Sequence, residues 1–180
     1  MSMASDARLT LLASYNQWMN RRLYDAAATL PHDTLVADRG AFFGSILGTL
    51  NHLVVTDTIW LKRFAVAPGA AAVLAALDDT PMPTALDAMP YQTLSVLRER
   101  RDWLDAMILR WVGTLTPTQL SARLTYVNTK GTAFTRSAEG LLTHLFNHQT
   151  HHRGQVTTLL SQAGVDVGVT DLLALVPEEG

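Results

Sequence analysis

The sequence predicts an all-α protein built as a four-helix bundle, on three observations. Four long segments carry apolar residues at 3-4 spacing, each segment meets a recognisable stop, and 48% of the 180 residues are hydrophobic against 17% charged. A chain this apolar can bury a sizeable core, and its length corresponds to one domain over 1–180. Long amphipathic helices bury their stripes against one another, which is the bundle solution.

The first helix is expected from about Asp6 to Leu30, before Pro31, along the seam Leu9, Leu12, Asn16, Met19, Leu23, Ala26 and Leu30. Asn16 interrupts that seam with an amide; a buried, hydrogen-bonded core residue is the favoured reading over one lining a polar cavity. The second helix spans about Ser45 to Ala65 on Ile46, Leu50, Leu53, Asp57, Trp60 and Phe64. Asp57 in mid-seam requires a partner, an arginine or a histidine nitrogen, because a lone buried carboxylate is costly. The connection from Val66 to about Pro90 is too long to be structureless in a compact domain and should hold a short helical piece. The third helix covers about Thr93 to Leu115, and Arg101 on its seam is one possible partner for a buried acid. Tyr126-Val127 and Thr132 to Phe134 flank Asn128 to Gly131, which reads as a small β-hairpin. The fourth helix follows from about Ser137 to Ala163 with Gly164 as its C′ residue, and a short element capped at Thr170-Asp171 closes the chain.

Composition excludes several chemistries. The 14 Lys and Arg against 16 Asp and Glu give a formal charge of −2, without the basic footprint of a nucleic-acid binder. The chain contains no cysteine, so disulfides, thiolate nucleophiles and cysteine-ligated zinc or iron–sulfur sites are all unavailable to it. No leader is visible before Arg8, and the uncharged run from Phe64 to Leu77 is too short to span a bilayer. A cytoplasmic protein that does not engage membranes is the expectation.

Histidine is the opposite case, because four of the six histidines fall between His144 and His152. At about 100° per residue, Leu141, Leu142, Leu145, Val156, Leu159, Leu160 and Ala163 define an apolar arc that contains His148 and His152. His144 and His151 lie at its edge and should face solvent or the surroundings of a site. Arg153 and Phe146 mark the opposite edge, and Gly154 lies on the back, where it would permit close helix approach. Two inward imidazoles at i, i+4 are placed to share one metal; a paired-histidine network is the competing reading. Gln149-Thr150-His151 between them lacks the glutamate of a zinc-protease helix. A carboxylate-bridged di-iron centre fails by counting, because Glu99, Glu139, Glu178 and Glu179 are the only glutamates and none precedes a histidine by three. A mononuclear, histidine-rich site is left. His52 is mid-helix, but its stripe of Ser45, Thr49, Thr56, Ile59 and Arg63 is mostly small or polar, so periodicity alone allows it to be a surface residue.

The string Leu145-Phe-Asn-His-Gln-Thr-His-His-Arg-Gly-Gln-Val156, ending at Leu159-Leu-Ser-Gln-Ala-Gly164, resembles the last bundle helix of the DinB/YfiT-like metalloenzymes. Asn51-His-Leu-Val-Val-Thr-Asp-Thr-Ile-Trp-Leu61 is similar to that family's second helix, and Tyr15-Asn-Gln-Trp-Met-Asn-Arg-Arg-Leu23 to its first. The hairpin and the closing Asp171-Leu-Leu also fit, whereas the connection from Val66 to Pro90 matches no motif. The resemblance implies a His52/His148/His152 triad holding one divalent metal, zinc or nickel, with open positions for water or substrate. Asp57, Asn16 and Arg153 become candidates for outer groups around that centre, a structural ion pair being at least as good a reading for Arg153.

What the resemblance implies about activity is metal-dependent transfer of a low-molecular-weight thiol to an electrophile. A metal-hydroxide hydrolase would use the same ligands. The alternative is a non-catalytic, stress-associated (damage-inducible-type) metal-binding or interaction bundle. A small-molecule substrate and a homodimer are the expected partners, with no nucleic acid.

Overall fold

The computed structural model describes residues 7–67 and 72–178. Its four long helices are α1 (Ala7–Ala27), α3 (Ile46–Ala65), α4 (Leu94–Val112) and α6 (Ala138–Gln162). Two short helices, α2 (His32–Val36) and α5 (Pro117–Ser121), and a hairpin of β1 (Arg123–Val127) and β2 (Ala133–Ser137) connect them. The expected bundle with a hairpin before its last helix is therefore the architecture observed. The Asp6 start proposed for the first helix lies outside the described residues.

Helix ends follow local chemistry. Ser45 caps α3 by accepting from the Gly48 amide, and Ser137 caps α6 by accepting from the Gly140 amide. Helix α1 ends at Ala27, short of the expected Leu30, where the amides of Thr29 and Leu30 fold back onto the carbonyls of Ala26 and Ala27. Helix α4 likewise stops at Val112 rather than Leu115. Thr116-Pro117, expected only to stop that helix, opens α5: Thr116 and Gln119 form a reciprocal capping box with proline at the first turn. Gly164 adopts φ +81, as a C′ residue should. Nothing lies within 4 Å of where a Gly154 Cβ would be, so its close-approach role is corrected: it is an exposed helical glycine.

Helix α1 packs on α4 and α6, and α3 packs on the same two, so α1 and α3 stand at opposite corners. One hydrophobic core runs between them, from Leu9 and Leu23 through Leu50 and Leu104 to Leu145 and Val156. The long connection does contain a helical piece, a 3₁₀ turn at Ala72–Leu77, which buries Leu74 and Leu77 against α3 and α4. Strands β1 and β2 pair antiparallel with Thr125 opposite Thr135. After α6 the chain returns along α1, where Arg22 donates to the Val167 carbonyl and Tyr15 to that of Thr170. Among the described residues no helix is long and apolar enough to cross a membrane.

Candidate metal centre

Helix α3 is the central element of the site. Every residue from Ile46 to Ile59 is buried, so the helix has no solvent face along that stretch. Its polar stripe is accommodated because its threonines turn back on their own helix. Thr49 donates to the Ser45 carbonyl at 2.9 Å and Thr56 to that of His52 at 2.8 Å. His52 is thus inside the bundle, 3% exposed, resolving what its stripe left open.

His52, His148 and His152 come together, each offering a ring nitrogen within 4.8 Å of the others. His52 Nε2 lies 3.3 Å from His148 Nε2 and 3.2 Å from His152 Nε2. The opposite nitrogens of His52 and His152 are engaged elsewhere. His52 Nδ1 sits 2.8 Å from the Leu86 carbonyl, which can only accept, so that nitrogen carries the proton. His152 Nδ1 meets Gln155 Oε1 at 2.8 Å, which selects the same tautomer. The Nε2 atoms of His52 and His152 then present lone pairs to each other, an arrangement that a shared cation satisfies. A tetrahedral ion with bonds of about 2.0–2.1 Å sets its ligand nitrogens about 3.3–3.4 Å apart, close to the spacing found.

Burial keeps these rings neutral, the form that ligates. It pushes His52 down to about 4, with the neighbouring His152 adding to the effect. His148 falls to about 3, from burial first and then the surrounding histidines. His152 is lowered by burial, partly countered by its bond to Gln155.

Phe43 covers one side. Its ring stacks on His52 at 3.7 Å and 19° and meets His152 edge-on at 5.5 Å. Glycine at position 48 makes this possible, because a Cβ there would collide with the Phe43 carbonyl oxygen. Phe43, Leu86 and Gln155 were not visible as site residues in the sequence; of these only Gln155, one turn after His151, carried an i, i+4 signal.

His144 and His151 are exposed, and neither joins the three-nitrogen cluster. The His151 ring lies edge-on to His152 at 4.7 Å, and His144 stands 5.7 Å from His148. Burial, then the charges of Arg136 and Arg63, lowers the His144 pKa.

The three expected outer groups take a different place. Asp57 accepts from Arg101 Nη1 at 2.7 Å and from the Gln149 amide, so its partner is the seam arginine. Asn16 accepts from Arg153 and donates to Asp105 at 2.9 Å. Asn20 reaches both Asp105 oxygens, at 3.1 and 3.0 Å, and Arg101 Nη2 pairs with Asp105 at 2.9 Å. Arg153 is buried, lies over the Tyr15 ring at 5.1 Å and makes no ion pair among the described residues. None of the hydrogen bonds made by Asp57, Asn16 or Arg153 among the described residues runs to a clustered histidine, so they form a separate buried network. Asn20, Asp105 and Gln149 complete it. Their signal was a second polar residue four positions along each helix: Asn16 and Asn20, Arg101 and Asp105, Gln149 and Arg153.

The profile of the DinB family matches residues 1–179. Protein DinB of Bacillus subtilis (strain 168) is 26% identical over 162 residues, covering 89% of this chain and 88% of that protein. No solved structure gives a significant match. The bundle, the hairpin and the histidine trio thus sit in a chain matched along nearly its whole length, and that chain belongs to the DinB family.

Proposed function

We propose that this protein is a mononuclear metal-dependent enzyme that binds one divalent ion, zinc or nickel, through His52, His148 and His152 and acts on a small molecule. The observation that carries this reading is the pair of facing Nε2 lone pairs 3.2 Å apart, each fixed by an acceptor behind its ring. When bound, such an ion is a Lewis acid that lowers the pKa of a water or thiol at an open position.

The chain's own residues divide the remaining work. Leu86 and Gln155 orient two of the rings, and Phe43 shields the His52 face from water. Asp57, bound to Arg101 and Gln149, is not available as a base. His151 and His144 stand at the rim, beside the rings of His152 and His148. With no cysteine in the chain, any reacting sulfur must arrive on a cosubstrate. That is compatible with transfer of a low-molecular-weight thiol to an electrophile, the reaction the family resemblance implies, with hydrolysis using the same three ligands as the second reading.

Untagged protein reconstituted with Zn²⁺ or Ni²⁺ should carry close to one ion per chain, and less than about 0.1 by elemental analysis with both metals overturns the reading. The loaded protein is then incubated with a panel of thiols and monochlorobimane. Metal-dependent conjugation with one of them supports thiol transfer, and none with any thiol removes it.

A further inference from the structure

A cavity of about 690 Å³ opens between the hairpin and the start of α6, within the size range of small-molecule sites. Trp60, Tyr126 and His144 supply aromatic walls, and Arg123 and Arg136 line it as well. No carboxylate lines it. Neither arginine has an ion-pair partner among the described residues, whereas Arg8, Arg98 and Arg101 are each paired with an acid. Glu139, the acid nearest in sequence to Arg136, is the partner of Arg8 at 2.7 Å.

A third cation packs on two of the wall residues without itself lining the cavity. Arg63 lies over Trp60 at 4.6 Å and over Tyr126 at 4.7 Å, and it donates to the Val127 carbonyl at 3.0 Å. It too lacks a carboxylate partner among the described residues. Three guanidinium groups without acids, in a chain of net charge −2, make a local field that favours an anion. Planar guanidinium groups match the oxygens of a carboxylate or phosphate, and rigid aromatic rings give an apolar body a surface to lie on. The cavity also borders the histidine cluster. His144 packs edge-on against Trp60 at 5.2 Å on one side and stands 5.7 Å from the His148 ring on the other.

We propose that this cleft binds the oxyanion head of a small aromatic or apolar acid, with Arg123 and Arg136 as its direct partners and Trp60 and Tyr126 as its platform. Placing the reacting end of that acid at the three histidines rests on the metal-enzyme reading above; the anion cleft itself does not.

Isothermal titration calorimetry on the intact protein, zinc-loaded and metal-free, tests it with phthalate, phenyl phosphate and neutral phthalamide. At least one of the two anions should bind saturably and weaken as salt is raised, and the tighter one identifies the head group. Phthalamide should bind at least about tenfold more weakly, and R123Q/R136Q should lose at least about tenfold in anion affinity while taking up zinc as before. Both arginines are exposed on the hairpin, and an unchanged thermal midpoint confirms that the variant is folded. The proposal is overturned if neither anion binds, if phthalamide binds equally well, or if the arginine variant binds the anions unchanged. Anion binding without zinc uptake sinks the metal reading and leaves the cleft standing; zinc uptake without anion binding does the reverse.

Discussion

Two polar clusters occupy the interior of the same bundle and share two of its helices. Residues 148 and 149, adjacent on α6, belong one to each. In the network around Asp57, two carboxylates and two guanidinium groups balance in charge. Asp105 alone receives Asn16, Asn20 and Arg101, and that arginine's cation is held by Asp105 and Asp57 despite its burial. In the histidine cluster the lone pairs turn toward one another and the donors turn away. The first arrangement supplies donors to both of its carboxylates from the protein itself, with Arg101 Nε and Arg153 Nε left without a hydrogen bond among the described residues. In the second, two lone pairs face each other and a cation would satisfy them. Burial of polar groups therefore does not itself mark a functional site; the informative feature is which groups the protein leaves for something else to satisfy.

The contrast predicts that stability resides in one cluster and metal binding in the other. Asp57→Ala leaves Asp105 as the one carboxylate, among the described residues, beside the buried Arg101 and Arg153 and should cost about 3–5 kcal/mol in urea unfolding of the metal-free protein. His148→Ala should leave metal-free stability near that of the parent but abolish the zinc-induced rise in thermal stability. That rise amounts to about 2.7 kcal/mol when free zinc is a hundredfold above its Kd. His144→Ala should keep it; loss of zinc with His144→Ala but not with His148→Ala would reverse the assignment of ligands. Gln149→Leu removes a donor from Asp57 beside the proposed ligand His148. It should cost about 1–3 kcal/mol of stability while changing zinc affinity by less than tenfold, and a larger change in affinity would show that the clusters are coupled.

A separate expectation concerns pH. His52 and His148 have folded-state values of about 4 and about 3, below the ordinary imidazole value of about 6.5, so the unfolded chain binds more protons between these limits. Their contribution to metal-free stability is fully present above about pH 6.5 and is lost as pH falls through about 4. The thermal midpoint of metal-free protein should show this decline, with His52→Ala flattening part of it.

The sequence revealed much of the scaffold and half of the site logic. The 3-4 seams located all four long helices, and Asp57 was legible as a carboxylate in need of a partner, with Arg101 one candidate beside a histidine; the structure pairs it with Arg101. His148 and His152 were legible because α6 has a solvent face against which an arc can be drawn. His52 was not, because α3 is buried all round and its threonine hydroxyls are spent on carbonyls of their own helix. On such a helix an angular pattern carries no information about inside and outside, and only the family resemblance singled the residue out. Asp57, Asn16 and Arg153 were assigned to the surroundings of the metal because sequence can rank burial but cannot tell which of two buried clusters a residue will join.

The bond from His52 Nδ1 to the Leu86 carbonyl has a genetic consequence. A main-chain oxygen is the same whatever side chain follows it, and the Leu86 side chain itself is 43% exposed. Substitution at position 86 is therefore invisible to the histidine, and the long connection is free to drift in composition while still serving the site. Its length is another matter. Adding or deleting one residue between the 3₁₀ turn and Tyr91, which Asn51 grips through both its amide and its carbonyl, changes which peptide unit faces the ring. The segment of the chain without a recognisable motif should thus tolerate misspelling and resist frame-preserving indels.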